Sequence, residues 1–162
     1  MSVYAMIQAM EKLLKLHEGL LDAARKKTDI VKEGSVERLQ TLLVKEHKYV
    51  QALEQAETNR QKAVDQWLAH AGITLKQPTM TAVLETITDD RAKHDLENIA
   101  VKLADTITQL KQQEQLNQAL IRQSMQFVEL SLDMMNPSLS HMNYGDKHAP
   151  VSPERSVFDS RA

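Results

Sequence analysis

The sequence contains no cysteine and few aromatic, glycine or proline residues. Among its 162 residues are one Trp, three Tyr and two Phe, together with four Gly and four Pro. The absence of cysteine excludes disulfides and thiolate metal sites. A chain with few helix breakers and many Leu, Ala, Gln, Glu and Lys residues favours long helices packed as a bundle or coiled coil. We therefore predict an all-α fold.

Neither sign of charge predominates, because 20 basic and 22 acidic residues give a formal net charge of −2. Such a balance provides no long-range attraction for nucleic acid or anionic lipid. No apolar run approaches the roughly 20 residues that span a bilayer, and residues 1–6 lack the basic start of a signal peptide. We expect a soluble cytoplasmic protein with no nucleic-acid partner and no membrane insertion.

Apolar residues at helical spacing predict two long helices joined by a short link. The first helix covers residues 2–32, and Gly34 can take the left-handed position that ends it. Ser35 can cap the second helix, which runs to Gly72. Because the link is short, we predict an antiparallel hairpin.

We interpret the basic cluster near the end of the first helix as solvated and suited to the helix dipole, with a binding patch as the alternative; it comprises Arg25, Lys26, Lys27 and Lys32.

Two charged residues, Glu46 and Arg60, interrupt the apolar stripe of the second helix. They lie fourteen residues apart, about 21 Å along one helix, and therefore cannot pair with each other on it. Each needs a partner on another helix or a path to water for its charged group. We predict polar contacts that fix the helix register, and the alternative is direct contact with a partner protein.

A short helix over residues 81–88, capped by Thr79 or Thr81, precedes a long last helix from Asp90 to Met135 that Asp89 can start. The first half of the last helix has one apolar stripe, enough to pack on the hairpin. After a polar interval at residues 111–115, apolar side chains surround more of its circumference. Either the first helix covers this excess or another partner does. The apolar residues of this second half are Leu116, Leu120, Ile121, Met125, Phe127, Val128, Leu130, Leu132, Met134 and Met135.

Asn136 and Pro137 end the last helix, and residues 136–162 contain too little apolar surface to fold alone. We predict a helical domain over residues 1–135 and a flexible, disordered tail over residues 136–162.

The sequence offers no set of residues for catalysis, a cofactor or a metal. No Glu is followed by a His three residues later, as a di-iron bundle requires. Gly-rich phosphate loops and nucleophile elbows are also missing. We therefore predict that the protein is not an enzyme, with an unfamiliar active site as the alternative.

Several short segments, taken in order along the chain, together resemble one known protein family. The first helix ends in its basic cluster and continues as Lys32-Glu33-Gly34-Ser35-Val36-Glu37-Arg38-Leu39. The last helix reads Asn117-Gln118-Ala119-Leu120-Ile121 and then Phe127-Val128-Glu129-Leu130. Tyr144-Gly145 follows, and the chain closes on Ser156-Val157-Phe158-Asp159-Ser160-Arg161-Ala162. No single motif is specific, but their order and spacing resemble those of the FlgN-type flagellar export chaperones over nearly the whole chain.

The resemblance implies a cytoplasmic chaperone that binds hook-associated proteins of the FlgK and FlgL type, keeps them unassembled and delivers them to the type III export gate. It also implies that Tyr144 docks on the export-gate protein FlhA. Client binding is expected through the last helix and the tail, and the helix residues concerned are Asn117, Leu120, Ile121, Phe127, Leu130 and Met134.

A second hypothesis is a structural helical-hairpin protein that self-associates permanently through its last helix. A chaperone of this kind can also form a homodimer when no client is present, and the sequence leaves the oligomeric state open.

Overall fold

The computed structural model describes residues 3–135, and this part of the chain forms four helices and no strand. They are α1 (Val3–Glu33), α2 (Val36–Ala71), α3 (Met80–Glu85) and α4 (Asp90–Met135). The predicted all-α architecture is confirmed, as are the bounds of α4. The predicted tail and Tyr144 lie outside the described residues.

The link between α1 and α2 has the predicted chemistry. Gly34 adopts a φ of 73°, and its N–H donates to the carbonyl oxygens of Ile30 and Val31 at the end of α1. The Ser35 side chain then accepts a hydrogen bond from the backbone N–H of Arg38 and caps α2. Because one residue ends α1 and the next begins α2, the helices turn back on each other as an antiparallel hairpin.

The two helices of the hairpin approach closely at Gly19. A Cβ atom at this position would lie 2.6 Å from the ring of Tyr49 on α2. A side chain at position 19 would therefore have to displace the Tyr49 ring, whereas glycine allows this close approach without a shift.

The main hydrophobic core joins all four helices. It combines the first half of α1 with the last half of α2, with α3 and with the start of α4. A smaller cluster near the hairpin link holds Ala23, Ile30 and Leu42. Two apolar residues at the helical spacing of the α2 stripe, Leu43 and Val50, are exposed. The buried residues of the main core are Val3, Met6, Ile7, Met10, Leu13, Ala56, Val64, Leu68, Val83, Ile87, Ala92, Leu96 and Leu103.

The short helix α3 ends three residues earlier than predicted, and the side chain of Thr86 explains why. Its hydroxyl donates to the carbonyl oxygen of Val83 (2.6 Å) and accepts the indole N–H of Trp67 (2.9 Å). A hydroxyl bound to the last turn competes with continued helix. The bond from Trp67 to Thr86 also joins the end of α3 to the end of α2.

The start of α4 is capped as predicted, because the Asp89 carboxylate accepts the backbone N–H groups of Arg91 and Ala92. The contacts divide the chain into two units, Met1–Leu120 and Ile121–Ala162. Of the second unit the structure describes residues 121–135. None of the helices in residues 3–135 has an apolar stretch long enough to cross a bilayer.

Candidate binding surface

A buried ion cluster joins three helices in the first unit. Lys27 on α1 is only 7% exposed, and its Nζ lies 2.9 Å from Glu46 Oε1 on α2. The same ammonium donates to both carboxylate oxygens of Glu114 on α4, each at 3.0 Å. Glu46 Oε1 has no hydrogen bond of good geometry, so its compensation is the charge of Lys27. One buried cation thus holds one carboxylate from each neighbouring helix.

Burial and pairing act in opposite directions on the pKa of Lys27. Burial disfavours the ammonium and alone would lower the pKa. Pairing with the carboxylates of Glu46 and Glu114 outweighs it, and the pKa of Lys27 is raised above its ordinary value of 10.5. The Lys27 side chain therefore holds its proton more tightly in the folded chain than in the unfolded one.

A second polar network lies beside the ion cluster. Asn117 on α4 is 1% exposed; its amide Nδ2 donates to the carbonyl oxygen of Ala24 (2.8 Å). The Thr28 hydroxyl donates to Asn117 Oδ1, and Gln113 Nε2 donates to the Thr28 hydroxyl, both at 2.5 Å. Buried polar groups that are fully paired stabilise one arrangement over its neighbours. Together, the cluster and the network form a polar layer, made by Lys27, Thr28, Glu46, Gln113, Glu114 and Asn117.

The structure confirms one of the three predictions made for charged residues and contradicts the other two. The inter-helix partner predicted for Glu46 is confirmed. The corresponding prediction for Arg60 is wrong, because Arg60 pairs with Glu57 of its own helix, at 2.6 Å and 2.9 Å. The interpretation of Lys27 as part of a solvated cluster is also wrong. The signal was present, since Lys27 follows Leu20 by seven residues on the apolar side of α1, just as Glu46 lies on the apolar side of α2.

The polar interval of α4 does not separate bundle packing from the apolar end as expected. Gln113 and Glu114 belong to the polar layer, and Asn117 continues the packing against α1 for another turn. The role of Gln113 and Glu114 in the polar layer could not be predicted from the sequence, because Gln and Glu side chains are mostly exposed.

The last turns of α4 present apolar side chains to solvent. Seven large apolar residues between positions 125 and 135 are 49–83% exposed. Contiguous exposed apolar surface of this kind marks a site of interaction with other molecules. We call these residues the apolar end of α4; they are Met125, Phe127, Val128, Leu130, Leu132, Met134 and Met135.

The predicted client-binding residues fall into three groups. Phe127, Leu130 and Met134 are exposed on the apolar end. Leu120 and Ile121 are half-buried one to two turns before it. Asn117 is enclosed by the chain itself, so contact with a client would require its hydrogen bonds with α1 to break. Their roles in client binding stay predictions.

These features define an all-α protein whose helical hairpin supports one long helix with an apolar, exposed end. Among residues 3–135 no cluster of three His, Asp or Glu side chains could hold a metal ion. The FlgN protein family model matches residues 1–151. The chain therefore belongs to the FlgN family, a family of chaperones for flagellum biogenesis, and the predicted resemblance is confirmed.

A curated relative from Bacillus subtilis (strain 168), described as uncharacterized protein YvyG, is 32% identical over 165 residues. The alignment covers the whole of both chains. No solved structure matches this chain.

The ion cluster predicts a large cost for removing its cation. Lys27→Met leaves the buried Glu46 without a counter-charge and should lower the free energy of unfolding by about 2–4 kcal/mol. Lys26→Met, at the exposed neighbouring position, should change it by less than about 0.5 kcal/mol. Urea denaturation followed by circular dichroism measures both.

The same experiment has a pH dependence. Because the pKa of Lys27 is higher in the folded chain, its stabilisation is complete below the unfolded pKa and is lost as the pH rises through the folded value. The stability difference between wild type and Lys27→Met should therefore shrink only in strongly alkaline solution. A difference that disappears near neutral pH, or equal losses in the Lys26 and Lys27 variants, would contradict a buried ion cluster.

Asn117 provides a second prediction, which separates a structural role from a client contact. Asn117→Ala removes two buried hydrogen bonds, the one from the Thr28 hydroxyl and the one to the Ala24 carbonyl oxygen. It should cost about 1–3 kcal/mol of stability. Gln118→Ala, at the next and exposed position, serves as the control. Denaturation midpoints are compared with client affinity for both variants. If Asn117→Ala lowered the client affinity without changing the stability of the fold, Asn117 would be a client-binding residue and not a structural one.

Proposed function

We propose that this protein is a cytoplasmic flagellar export chaperone that binds hook-associated proteins of the FlgK and FlgL type. On this proposal the apolar end of α4 and the segment 136–162 hold the client, prevent its premature assembly and bring it to the type III export gate. Membership in the FlgN family supports the class of function, and the geometry of α4 supports the place of binding.

The exposure of the apolar end is the observation that carries the proposal. The charged and polar side chains of the polar layer are paired within residues 3–117, and the cores of the hairpin are buried. The apolar end has no comparable partner among the described residues. Its Met side chains, at positions 125, 134 and 135, are flexible and adapt to varied apolar surfaces.

Three of the predicted contacts lie on one line. Leu120, Phe127 and Met134 follow each other at seven-residue intervals, which places them on nearly the same side of α4. An amphipathic client helix can pack along such a line, as helices do in other apolar grooves. If the client segment is disordered before binding, its ordering offsets part of the binding free energy. The resulting affinity is moderate, which suits a client that must be released at the gate.

Docking on the export gate is assigned to the C-terminal segment. By its likeness to the family's tail tyrosine, Tyr144 contacts FlhA while α4 holds the client. This division predicts that the two binding events respond to different substitutions.

Client binding is tested with purified hook-associated proteins. Phe127→Gln removes a large exposed ring from the proposed surface and should weaken the affinity at least about tenfold. Val101→Gln, which replaces another exposed apolar residue of α4 far from this surface, should have no effect. Isothermal titration calorimetry measures both. Equal affinity of the two variants would remove the apolar end from the client site, and unchanged affinity after deletion of residues 137–162 would remove the tail.

Gate docking is tested separately. Tyr144→Ala should leave client affinity unchanged and weaken binding to the cytoplasmic part of FlhA, measured by surface plasmon resonance with the client-loaded chaperone. Tyr4→Ala, at an exposed tyrosine of α1, is the matched control. Loss of client binding in Tyr144→Ala would place this residue in the capture site instead.

A further inference from the structure

Two lines of side chains run side by side along the end of α4, about 100° apart around the helix. Each line has the alternating spacing of four and three residues that is typical of a coiled-coil seam. We call the first the serine line; it contains Leu120, Ser124, Phe127, Ser131 and Met134. The second, the aliphatic line, contains Ile121, Met125, Val128, Leu132 and Met135.

The aliphatic line is the more continuous of the two, because no polar residue interrupts it. Four of its five residues are 49–83% exposed, and Ile121 is half-buried. Directly after Ile121 and Val128 come Arg122 and Glu129, seven residues apart and both exposed. These two side chains therefore occupy the same edge of the line with opposite charges.

We infer that the aliphatic line pairs with the same line of a second copy of this chain, with the two helices antiparallel. If Met125 faces Val128 of the second copy, Ile121 faces Leu132 of the second copy, and these layers of the seam are apolar. Met135 lies beyond them, at the edge of the seam. In the same register Arg122 lies beside Glu129 of the second copy. The two-fold axis repeats every contact, so the dimer has two ion pairs and four apolar layers.

Charge complementarity selects this arrangement over the parallel one. In a parallel, in-register pair, a residue on one edge of the seam lies beside the residue five positions earlier on the second copy. Arg122 and Glu129 would then lie beside Asn117 and Ser124 of the second copy, and neither charge would gain a partner. Antiparallel pairing satisfies both charges with residues that the chain already carries.

The paired segment is short, about two heptads, so the dimer is weak and depends on concentration. The serine line stays outside the seam. A dimer formed in this way leaves Leu120, Phe127 and Met134 available to a client. Self-pairing therefore does not require the proposed client function, and the two can be tested apart.

Disulfide cross-linking tests the geometry, since the chain contains no cysteine of its own. We expect Ile121→Cys and Leu132→Cys to cross-link when the two variants are mixed, and neither to cross-link alone. In the antiparallel register two copies of residue 121 lie about 16 Å apart along the helix, far beyond the roughly 7 Å between Cα atoms that a disulfide allows. The inference is overturned if each variant cross-links with itself, or if the mixture of the two variants does not cross-link.

Charge exchange tests the ion pairs. Arg122→Glu places two like charges together at both ends of the seam and should weaken the dimer about tenfold, measured by analytical ultracentrifugation. The double variant Arg122→Glu/Glu129→Arg should restore the wild-type dimerisation constant. Failure of the second change to rescue the first overturns the inference. As a control, circular dichroism is used to check that both variants keep their helix content.

A pair of neighbouring substitutions separates self-pairing from client binding. Val128→Gln should abolish the dimer, whereas Phe127→Gln should keep the dimer and weaken client binding. A wild-type chain that dimerises but binds no hook-associated protein overturns the proposed function alone. Retention of the dimer by Val128→Gln overturns the self-pairing inference alone.

Discussion

The ammonium of Lys27, shared between Glu46 and Glu114, fixes the relation of α4 to the hairpin. A helix with a single apolar stripe can slide along its partners by one heptad with little loss of hydrophobic contact. Such a slide is costly here, since a buried cation would lose two carboxylates and Asn117 would lose its bonds to α1. The packing thus combines an apolar core, which tolerates several registers, with polar contacts that favour one.

Along the end of α4, seven-residue spacing decides which side chains share a side of the helix. It keeps Phe127 and Met134 on one side and Ile121 and Val128 on the next. One helix can therefore present two separate lines of side chains, one for each proposed partner.

Much of the fold could be predicted from the sequence, because it depends on local signals. Gly34, Ser35, Thr79 and Asp89 define helix ends by backbone chemistry that any reader of the sequence can recognise. The polar layer could be predicted only in part. Glu46 stood out against its apolar neighbours, whereas Lys27 was hidden among other basic residues.

Other features depend on which helices meet, and single-sequence patterns do not contain that information. Arg60 is satisfied by Glu57 one turn away, which made a distant partner unnecessary. Leu43 and Val50 follow the period of the α2 stripe but lie beyond the width that α1 covers. The apolar end was visible as a composition change, and its exposure could be known only from the structure.

The order in which the chain is synthesised gives the hairpin a further role. The contacts of α1 with α2 across the Gly34 link close a short loop, whereas Lys27 and Glu114 are 87 residues apart. Short loops close sooner and at lower entropic cost. The hairpin can therefore fold while the ribosome is still producing α4, and the surface against which the first half of α4 packs is then already in place.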